Sequence, residues 1–590
     1  MTAGRLKVLI IGGYGTFGGR LARLLADEDR LILIIGGRSR AKAAAFCESL
    51  RARATAVPIA FDRDREIEPQ LRQIAPDIVV DATGPFQSYG TDPYRVVKAA
   101  LALAINYLDL ADGSDFVKGV AQFDADARAR GLFVLAGVSS FPVLTAAVIR
   151  RLQQGMARIE TVTGGIAPSP YANVGRNVIR AIASYAGKAI KLRRDGRETV
   201  GYALIETKRY TIAPPGQLPL RPIRFSLVDV PDLQVLPVLW PSLRSVWVGA
   251  GPVPEILHRA LNALAWAVRL KLMPSLSPLA GLMHGTMNRL SFGEHRGGMF
   301  VAVEGVGADG SRLERSWHLL AEGEDGPLIP SMAAEALIRR CLADKTPQPG
   351  ARTAAADLEL ADYEALFARR RISTGRWQTG PAADQAPLYR RMLGDAWDLL
   401  PPPLRAMHAV NGVLIADGAA MVDRGPGFMS RLVAWLMGLP PAGRDVPLTV
   451  MFEVEEGCEH WRRTFGGSSF ASVQEPGRGR FERLLCERFG PFRFGLALVV
   501  QHDRLQLVLR GWSFAGLPLP AVFAPRSHAY EFAENGRFHF HVEIDHPLMG
   551  LIVRYRGWLE PRAGNRAAGA LSGKAEAGLP RENATMQKMQ

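Results

Sequence analysis

The chain has 590 residues and a formal net charge of +15, from 72 Lys and Arg against 57 Asp and Glu. At roughly 100–200 residues per domain, this length holds three to five domain-sized units with ample core. Hydrophobic residues at 48% and charged residues at 22% are ordinary globular usage, and the 60 Gly and 40 Pro show no short period, which excludes collagen-like, disulfide-scaffold and wholly disordered chains.

The positive balance implies attraction to something anionic: nucleic acid, an acidic membrane surface or a phosphorylated ligand. It is mostly scattered Arg, with no basic block interleaved with aromatics, so nucleic acid is not an expected partner. The four cysteines, Cys47, Cys341, Cys458 and Cys486, lie far apart without a CxxC pair, so neither a zinc site nor a disulfide framework is expected and a reducing cytosol fits best. The first apolar run, Val8–Ile11, is too short for a signal-peptide core, and no stretch reaches the ~18 uninterrupted apolar residues of a spanning helix. The expected location is cytoplasmic, with peripheral contact to the inner face of a membrane left open.

In chain order, residues 1–150 alternate apolar runs with helix-length segments, the rhythm of a Rossmann-type doubly wound parallel sheet. Six strands are expected: Lys7–Ile11, Leu31–Ile35, Val57–Phe61, Ile78–Asp81, Tyr107–Leu110 and Leu132–Gly137. Helical spacing falls at Phe17–Leu25, Ala41–Ala52, Tyr94–Leu103 and Phe123–Arg130. Residues 151–378 then show alternating segments (Thr199–Tyr210, Gly298–Val306, Leu313–Ala321) and read as an α+β substrate-side domain with an antiparallel sheet. A polar stretch at 379–387 reads as a linker. Residues 388–560 open with helix and continue as short strands, a mainly antiparallel β domain, and 561–590 reads as a disordered tail.

The segment KVLIIGGYGTFGGRLARLL places Gly13-x-Gly15-x-x-Gly18 directly after a strand and at the mouth of a helix, with Gly12 giving an overlapping GxxGxxG. A turn without Cβ atoms lets the backbone approach a pyrophosphate whose charge sits on the helix N-terminus, with Thr16 and Phe17 in its first turn. NAD-specific sites place a carboxylate at the end of the second strand. Here that strand ends IIGGRSRAK, with Arg38, Ser39 and Arg40, and a guanidinium suits a 2′-phosphate, so NADP(H) is expected over NAD(H). Asp62 follows the third strand on the adenine side, and Thr83 and Gly84 end the fourth, at the carboxyl edge where open α/β sheets bind ligands. Tyr89 stands between a place in the substrate pocket and plain packing.

The glycine turn, the IIGGRSRAK strand end, the DATGPF turn followed by Tyr89-Gly90, the YLDLADG strand and the AGVSSFPV segment occur in the order found in saccharopine-dehydrogenase-like oxidoreductases, which residues 5–375 resemble. That family includes imine-forming amino-acid dehydrogenases and trans-acting enoyl reductases of complex-lipid synthesis, so the resemblance implies hydride transfer with NADP(H). The sequence departs from true saccharopine dehydrogenases in that their substrate-carboxylate arginines and acid–base pair find no match here, and the catalytic residues stay unassigned. Residues 388–560, through GLPPAGRDVPLTV, EHWRRTFGG, ERFGPFRF, GLPLP and HPLMGLIVRYRGWL, resemble an uncharacterised bacterial domain fused behind such oxidoreductases.

Three further patterns carry alternatives. In RFHFHVEIDHP, His539, His541 and Glu543 share one face of a strand, either a metal-holding trio or, the preferred reading, a wet face. His460-Trp461-Arg462-Arg463 reads as a surface turn or an anion-binding cluster. Glu255–Met273 is a basic amphipathic helix with Trp266 near its boundary, either packed on the core or laid on a membrane, and Arg431–Arg444 repeats the theme at smaller size. No GxSxG, HExxH or P-loop is present. Two functions follow: an NADPH-dependent reductase of a C=C or C=N bond in a bulky, lipid-like substrate, or a non-catalytic NADP(H)-sensing or lipid-binding module. The oligomeric state is not legible.

Overall fold

The apolar runs of the first 150 residues become strands buried on both faces, which is why they read as continuous hydrophobic stretches rather than as alternation. In the computed structural model, which describes residues 5–290, 292–380 and 385–562, β1 (Leu6–Ile11), β2 (Leu31–Gly37), β3 (Thr55–Ala60), β4 (Ile78–Asp81), β5 (Asn106–Asp109) and β6 (Phe133–Ala136) are all parallel. They lie in the order β6-β5-β4-β1-β2-β3, so the topology is the doubly wound Rossmann arrangement. Strand order reverses between β1 and β4, and the carboxyl ends there form the crevice in which such sheets bind ligands. Helix α1 (Thr16–Leu25) buries Gly18, Gly19, Leu21, Ala22, Leu24 and Leu25, one apolar stripe at helical spacing.

Several elements of this layer are absent from the sequence expectation, among them the helices Ser114–Gly119 and Thr145–Leu152 and two more whose absence has a local reason. A seventh parallel strand, Gly350–Thr353, joins the sheet beside β6 from far along the chain. It is four residues long and begins with Gly, so it carries no apolar run. A helix at Ile67–Ile74 connects β3 to β4. Pro69 in its first turn reads as a breaker, yet that position needs no N–H and tolerates the fixed φ of proline.

The second layer is a mixed seven-stranded sheet in the order Thr207–Tyr210, Ile223–Leu227, Ser245–Ala250, Met156–Ala167, Gly297–Gly307, Arg312–Ala321, Ile372–Thr379. Only Ser245–Ala250 and Met156–Ala167 run parallel; the remaining pairs are antiparallel. The expected single segment Thr199–Tyr210 divides between a separate hairpin (Ala189–Arg194 with Arg197–Tyr202) and the strand Thr207–Tyr210. Both layers belong to one compact unit, residues 1–214 with 219–384.

The other unit comprises residues 385–590 and the four residues Pro215–Leu218, whose Gly216 carbonyl accepts from Val500 N at 2.8 Å. Its strands form one antiparallel sheet that closes, because Phe492–Gln501 pairs with Leu485–Phe489 on one side and Arg504–Phe514 on the other. The result is a ten-stranded barrel with the short strand Leu517–Leu519 appended. Phe538, Phe540, Val542 and Ile544 line its interior. His460-Trp461-Arg462-Arg463 lies within the strand Cys458–Phe465, not on a turn. Alternation turns Trp461 and Arg463 into the barrel, and the apolar neighbours of this four-residue motif are what place it there. The tail from 563 and the centre of the expected linker, 381–384, lie outside the described residues.

Each unit has its own core. Proteolytic cleavage introduced at Ala383 is therefore expected to yield two folded pieces, with NADPH binding retained by the N-terminal one. Limited proteolysis followed by separate thermal melts checks this; loss of cooperative unfolding in both pieces would refute it.

Candidate cofactor and substrate site

The loop from β1 to α1 has room for backbone only. Gly12 sits at φ +77°, where an L side chain is strained, and a Cβ on Gly18 would lie 2.4 Å from the Gly12 carbonyl oxygen. Gly15 N donates to Gly12 O at 2.8 Å, and Gly12 N and Gly13 N both donate to Gly36 O, pinning the loop to the end of β2. Gly15 is the N-cap of α1 and supplies no side-chain cap, so the first-turn amides carry no acceptor from that residue. Gly15 and Thr16 are exposed. Together these features fit a dinucleotide pyrophosphate: an accessible, electropositive helix end with no side chain in the way. The Phe17 side chain packs on the core, and its carbonyl accepts from Ser331 Oγ at 3.2 Å.

At the end of β2, Gly37 is covered by the ring of Tyr14, and a Cβ there would come within 2.4 Å of it. The Tyr14 hydroxyl accepts from Ser39 N at 3.1 Å. Ser39 Oγ accepts from Lys42 N at 3.3 Å as the N-cap of helix α2 (Arg40–Ser49). Its side chain is thus engaged in capping, while Arg38 is exposed and, among the described residues, makes no ion pair. Asp62 folds its carboxylate back on its own loop, accepting from Asp64 N at 3.1 Å and facing Arg65 at 3.5 Å.

Thr83 and Gly84 project from the end of β4 and are held by a cluster that the sequence reading does not assemble. The Asp81 carboxylate accepts from Thr83 N at 3.0 Å and Thr83 Oγ1 at 2.6 Å, and Thr83 Oγ1 lies 2.6 Å from the Tyr89 hydroxyl. Arg63 stands 3.5 Å from Asp81 and over the Tyr89 ring at 3.3 Å. Burial, reinforced by the Asp81 charge, raises the Tyr89 hydroxyl and keeps it protonated. Tyr89 is therefore a brace of the turn. Asp109, at the end of β5, accepts from Ala111 N and Gly137 N, and burial pushes its carboxyl up to about 7. Arg63 looks unremarkable in sequence because β3 and β4 must first take their places in the sheet before it can reach Asp81.

The segment after Met156–Ala167 crosses this edge. Arg20 Nη2 donates to Ala172 O at 3.1 Å, Gly175 abuts Thr16, and Asn177 Nδ2 donates to the carbonyls of Thr83 and Gly84 at 3.1 and 3.0 Å. The helix that begins there, Arg176–Tyr185, ends on Tyr185, whose hydroxyl is kept protonated by burial and by the charges of Asp112 and Asp229. Asp112 accepts from Gln87 Nε2 at 3.2 Å, and desolvation raises its carboxyl. Asp229, held by Ser114 Oγ at 2.6 Å, is raised by the same cause. Two carboxyls raised by burial and a protonated phenol are groups that hold a proton at neutral pH more readily than their ordinary values allow.

Elsewhere, Glu543 is bound by Arg554 at 2.6 Å and lies 3.9 Å from His541, and no group of three metal-ligating side chains gathers among the described residues. His258 is buried against Ser226 at 2.7 Å, and burial lowers it to about 4, which makes it a neutral structural group.

Comparison with known proteins agrees with this geometry. Residues 8–134 match the family model for the saccharopine dehydrogenase NADP binding domain. That match supports an NAD(P)-dependent oxidoreductase whose N-terminal domain resembles the NADP-binding domain of saccharopine dehydrogenases. Residues 400–559 match a second model, a domain of unknown function (DUF4166), so the oxidoreductase is fused to an uncharacterised domain. No curated protein matches. Among solved structures, apo saccharopine dehydrogenase (L-Glu forming) from Saccharomyces cerevisiae is 14% identical with a TM-score of 0.45, covering 63% of this chain and all of that one. The WlbA (WbpB) dehydrogenase from Thermus thermophilus, in complex with NAD and UDP-GlcNAcA, is 13% identical with a TM-score of 0.27, covering 58% and 90%. Biliverdin reductase from Synechocystis, in complex with biliverdin and NADP+, has the same identity and TM-score over 58% and 92%.

If Arg38 reads the 2′-phosphate, NADPH binds more tightly than NADH and Arg38→Ala removes most of the difference. A charge-assisted contact of about 1.5–3 kcal/mol corresponds to a roughly tenfold to hundredfold preference. Titration of both cofactors by calorimetry checks it, with Gly13→Val expected to abolish both, since a Cβ there lies 2.8 Å from Ile10 O.

Proposed function

We propose that the N-terminal unit reduces a C=C or C=N bond of a bulky, lipid-like substrate with NADPH. The observation that carries this is the uncapped α1 N-terminus in the glycine turn, with Arg38 exposed just beyond the end of β2. NADPH, when bound, supplies the hydride. The chain's residues do the rest: the glycine turn seats the pyrophosphate, Arg38 selects the 2′-phosphate, and the Thr83–Gly84 turn, braced by Asp81 and Asn177, shapes the nicotinamide end. Tyr185 Oη gives the proton that the second atom of the reduced bond requires, and Asp112 and Asp229 return one to it.

The test is substrate-dependent NADPH oxidation by the full-length protein supplied with fractionated lipid and metabolite extracts. A general acid is worth about 10²–10⁴-fold, so Tyr185→Phe is expected to lower kcat by at least a hundredfold while leaving the NADPH Kd unchanged. Tight NADPH binding with no oxidation by any fraction would instead favour the sensing module.

We further propose reversible association with an anionic membrane surface. The helix Glu255–Arg269 packs His258, Ala265 and Val268 into the core, yet Ile256, Trp266, Leu270 and Leu272 are exposed at 69, 49, 62 and 77%. Burial of these side chains in lipid adds a salt-resistant term to the screened attraction of the basic charge. Flotation with acidic liposomes is expected, and Trp266→Ser with Leu270→Ser should abolish its salt-resistant part without shifting Tm by more than a few degrees. Absence of flotation would refute it.

A further inference from the structure

Ten strands make a wider ring than the eight that side chains can just fill, and the barrel of the second unit keeps a cavity of about 320 Å³. That is within the roughly 300–1,000 Å³ range of small-molecule sites. Its wall is aliphatic and aromatic, with Val450, Leu507, Phe538 and Tyr555 on different strands. Close-packed interiors do not sustain such a volume without forfeiting the contacts of every side chain around it, so a molecule that restores those contacts is its natural occupant.

The polar groups on this wall are concentrated. Arg463 donates to Ser472 Oγ at 2.9 Å and pairs with Glu487 at 3.2 Å, and Ser472 Oγ and Gln474 Nε2 also donate to Glu487. The guanidinium has five N–H donors, more than these partners need, so its remaining capacity suits an acceptor oxygen on a ligand head group. Behind Gln474, the Tyr389 hydroxyl donates to Gln474 Oε1 at 3.0 Å, and Tyr389 stacks on His408 at 3.8 Å. The helices carrying these two residues close that end.

The opposite end is apolar on both of its faces. Helix Phe428–Leu436 is fixed by Ser430 Oγ, which donates to Leu551 O at 2.5 Å, and by Arg424, which donates to the carbonyls of Leu439 and Pro440. It turns Val433, and Met437 just beyond it, into the cavity. Its outer side leaves Phe428, Trp435 and Leu436 exposed at 78, 75 and 73%. Phe523 and Met549 also line the cavity, and their neighbours Val522 and Leu548 are exposed at 72 and 86%. Large apolar side chains exposed next to residues that line an apolar cavity fit transfer from a bilayer, where they enter the acyl region while the cavity receives a chain from it.

We propose that the C-terminal barrel is a binding site for a single-chain acyl lipid, its tail in the cavity and an oxygen of its head group on Arg463, loaded from a membrane through the end marked by helix Phe428–Leu436. The full-length protein titrated with cis-parinaric acid, a fluorescent polyene fatty acid, should show saturable one-to-one binding displaced by palmitate. Ala529→Trp and Leu509→Trp, both of which fill the cavity, should each weaken binding at least tenfold with Tm preserved or raised; two separate positions keep the test valid if one variant misfolds. Gly13→Val should leave it unchanged, which separates this site from the cofactor turn. Transfer from phosphatidylcholine vesicles should accelerate with vesicle concentration, and Phe428→Ser with Trp435→Ser and Leu436→Ser, all exposed, should slow it at least fivefold without changing affinity in solution. Absence of saturable binding, or binding indifferent to both cavity-filling variants, would overturn the site. Transfer independent of vesicle concentration would overturn the membrane route.

Discussion

The first unit depends on how closely the backbone at Gly18 approaches the carbonyl of Gly12. No side chain intervenes there, so α1 lies directly against the end of β1, and other elements take their places from α1. Ser331 Oγ donates to the Phe17 carbonyl, Arg339 Nη2 to Leu24 O at 2.9 Å and Arg20 Nη2 to Ala172 O. The helix that presents its N-terminus to a cofactor is thus the same one that anchors the substrate-side segment and the helix Ile329–Leu342. A Cβ at position 18 would displace all of these together, which ties cofactor geometry to the integrity of the unit.

Much of this first layer was legible because a buried parallel strand announces itself as an apolar run and a glycine turn as a spacing. What stayed hidden depends on register between distant strands. Arg63 follows β3 and Asp81 ends β4; nothing in a one-dimensional pattern brings them to 3.5 Å or lays the guanidinium over Tyr89. Ser39 shows the complementary difficulty. Its position suits a phosphate ligand and equally suits a helix N-cap; the structure shows the cap, in which Oγ accepts from Lys42 N and keeps its own hydrogen to donate. Tyr185 and Asp112 carry no motif, and the helix that ends on Tyr185 is fixed at its start by Asn177 to the Thr83–Gly84 turn.

In the second unit, alternation identified the inner and outer faces of the strand Arg537–His546, but closure could not be read from it. Whether a run of antiparallel hairpins ends in two edges or in none is decided by one pairing, here that of Phe492–Gln501 with Arg504–Phe514. With that pairing made, only the appended Leu517–Leu519 extends beyond the ring, and the exposed edges that promote association between sheets are removed.

The four residues Pro215–Leu218 give this second unit an unusual history. They emerge from synthesis nearly three hundred residues before Val500, whose amide the Gly216 carbonyl accepts. At about 5–20 residues per second, that interval is on the order of tens of seconds. During it residues 219–384, which complete the N-terminal unit, are made first, and only then the strands that Pro215–Leu218 joins. The barrel therefore closes on a segment made long before its own strands, and the order of translation becomes part of its assembly.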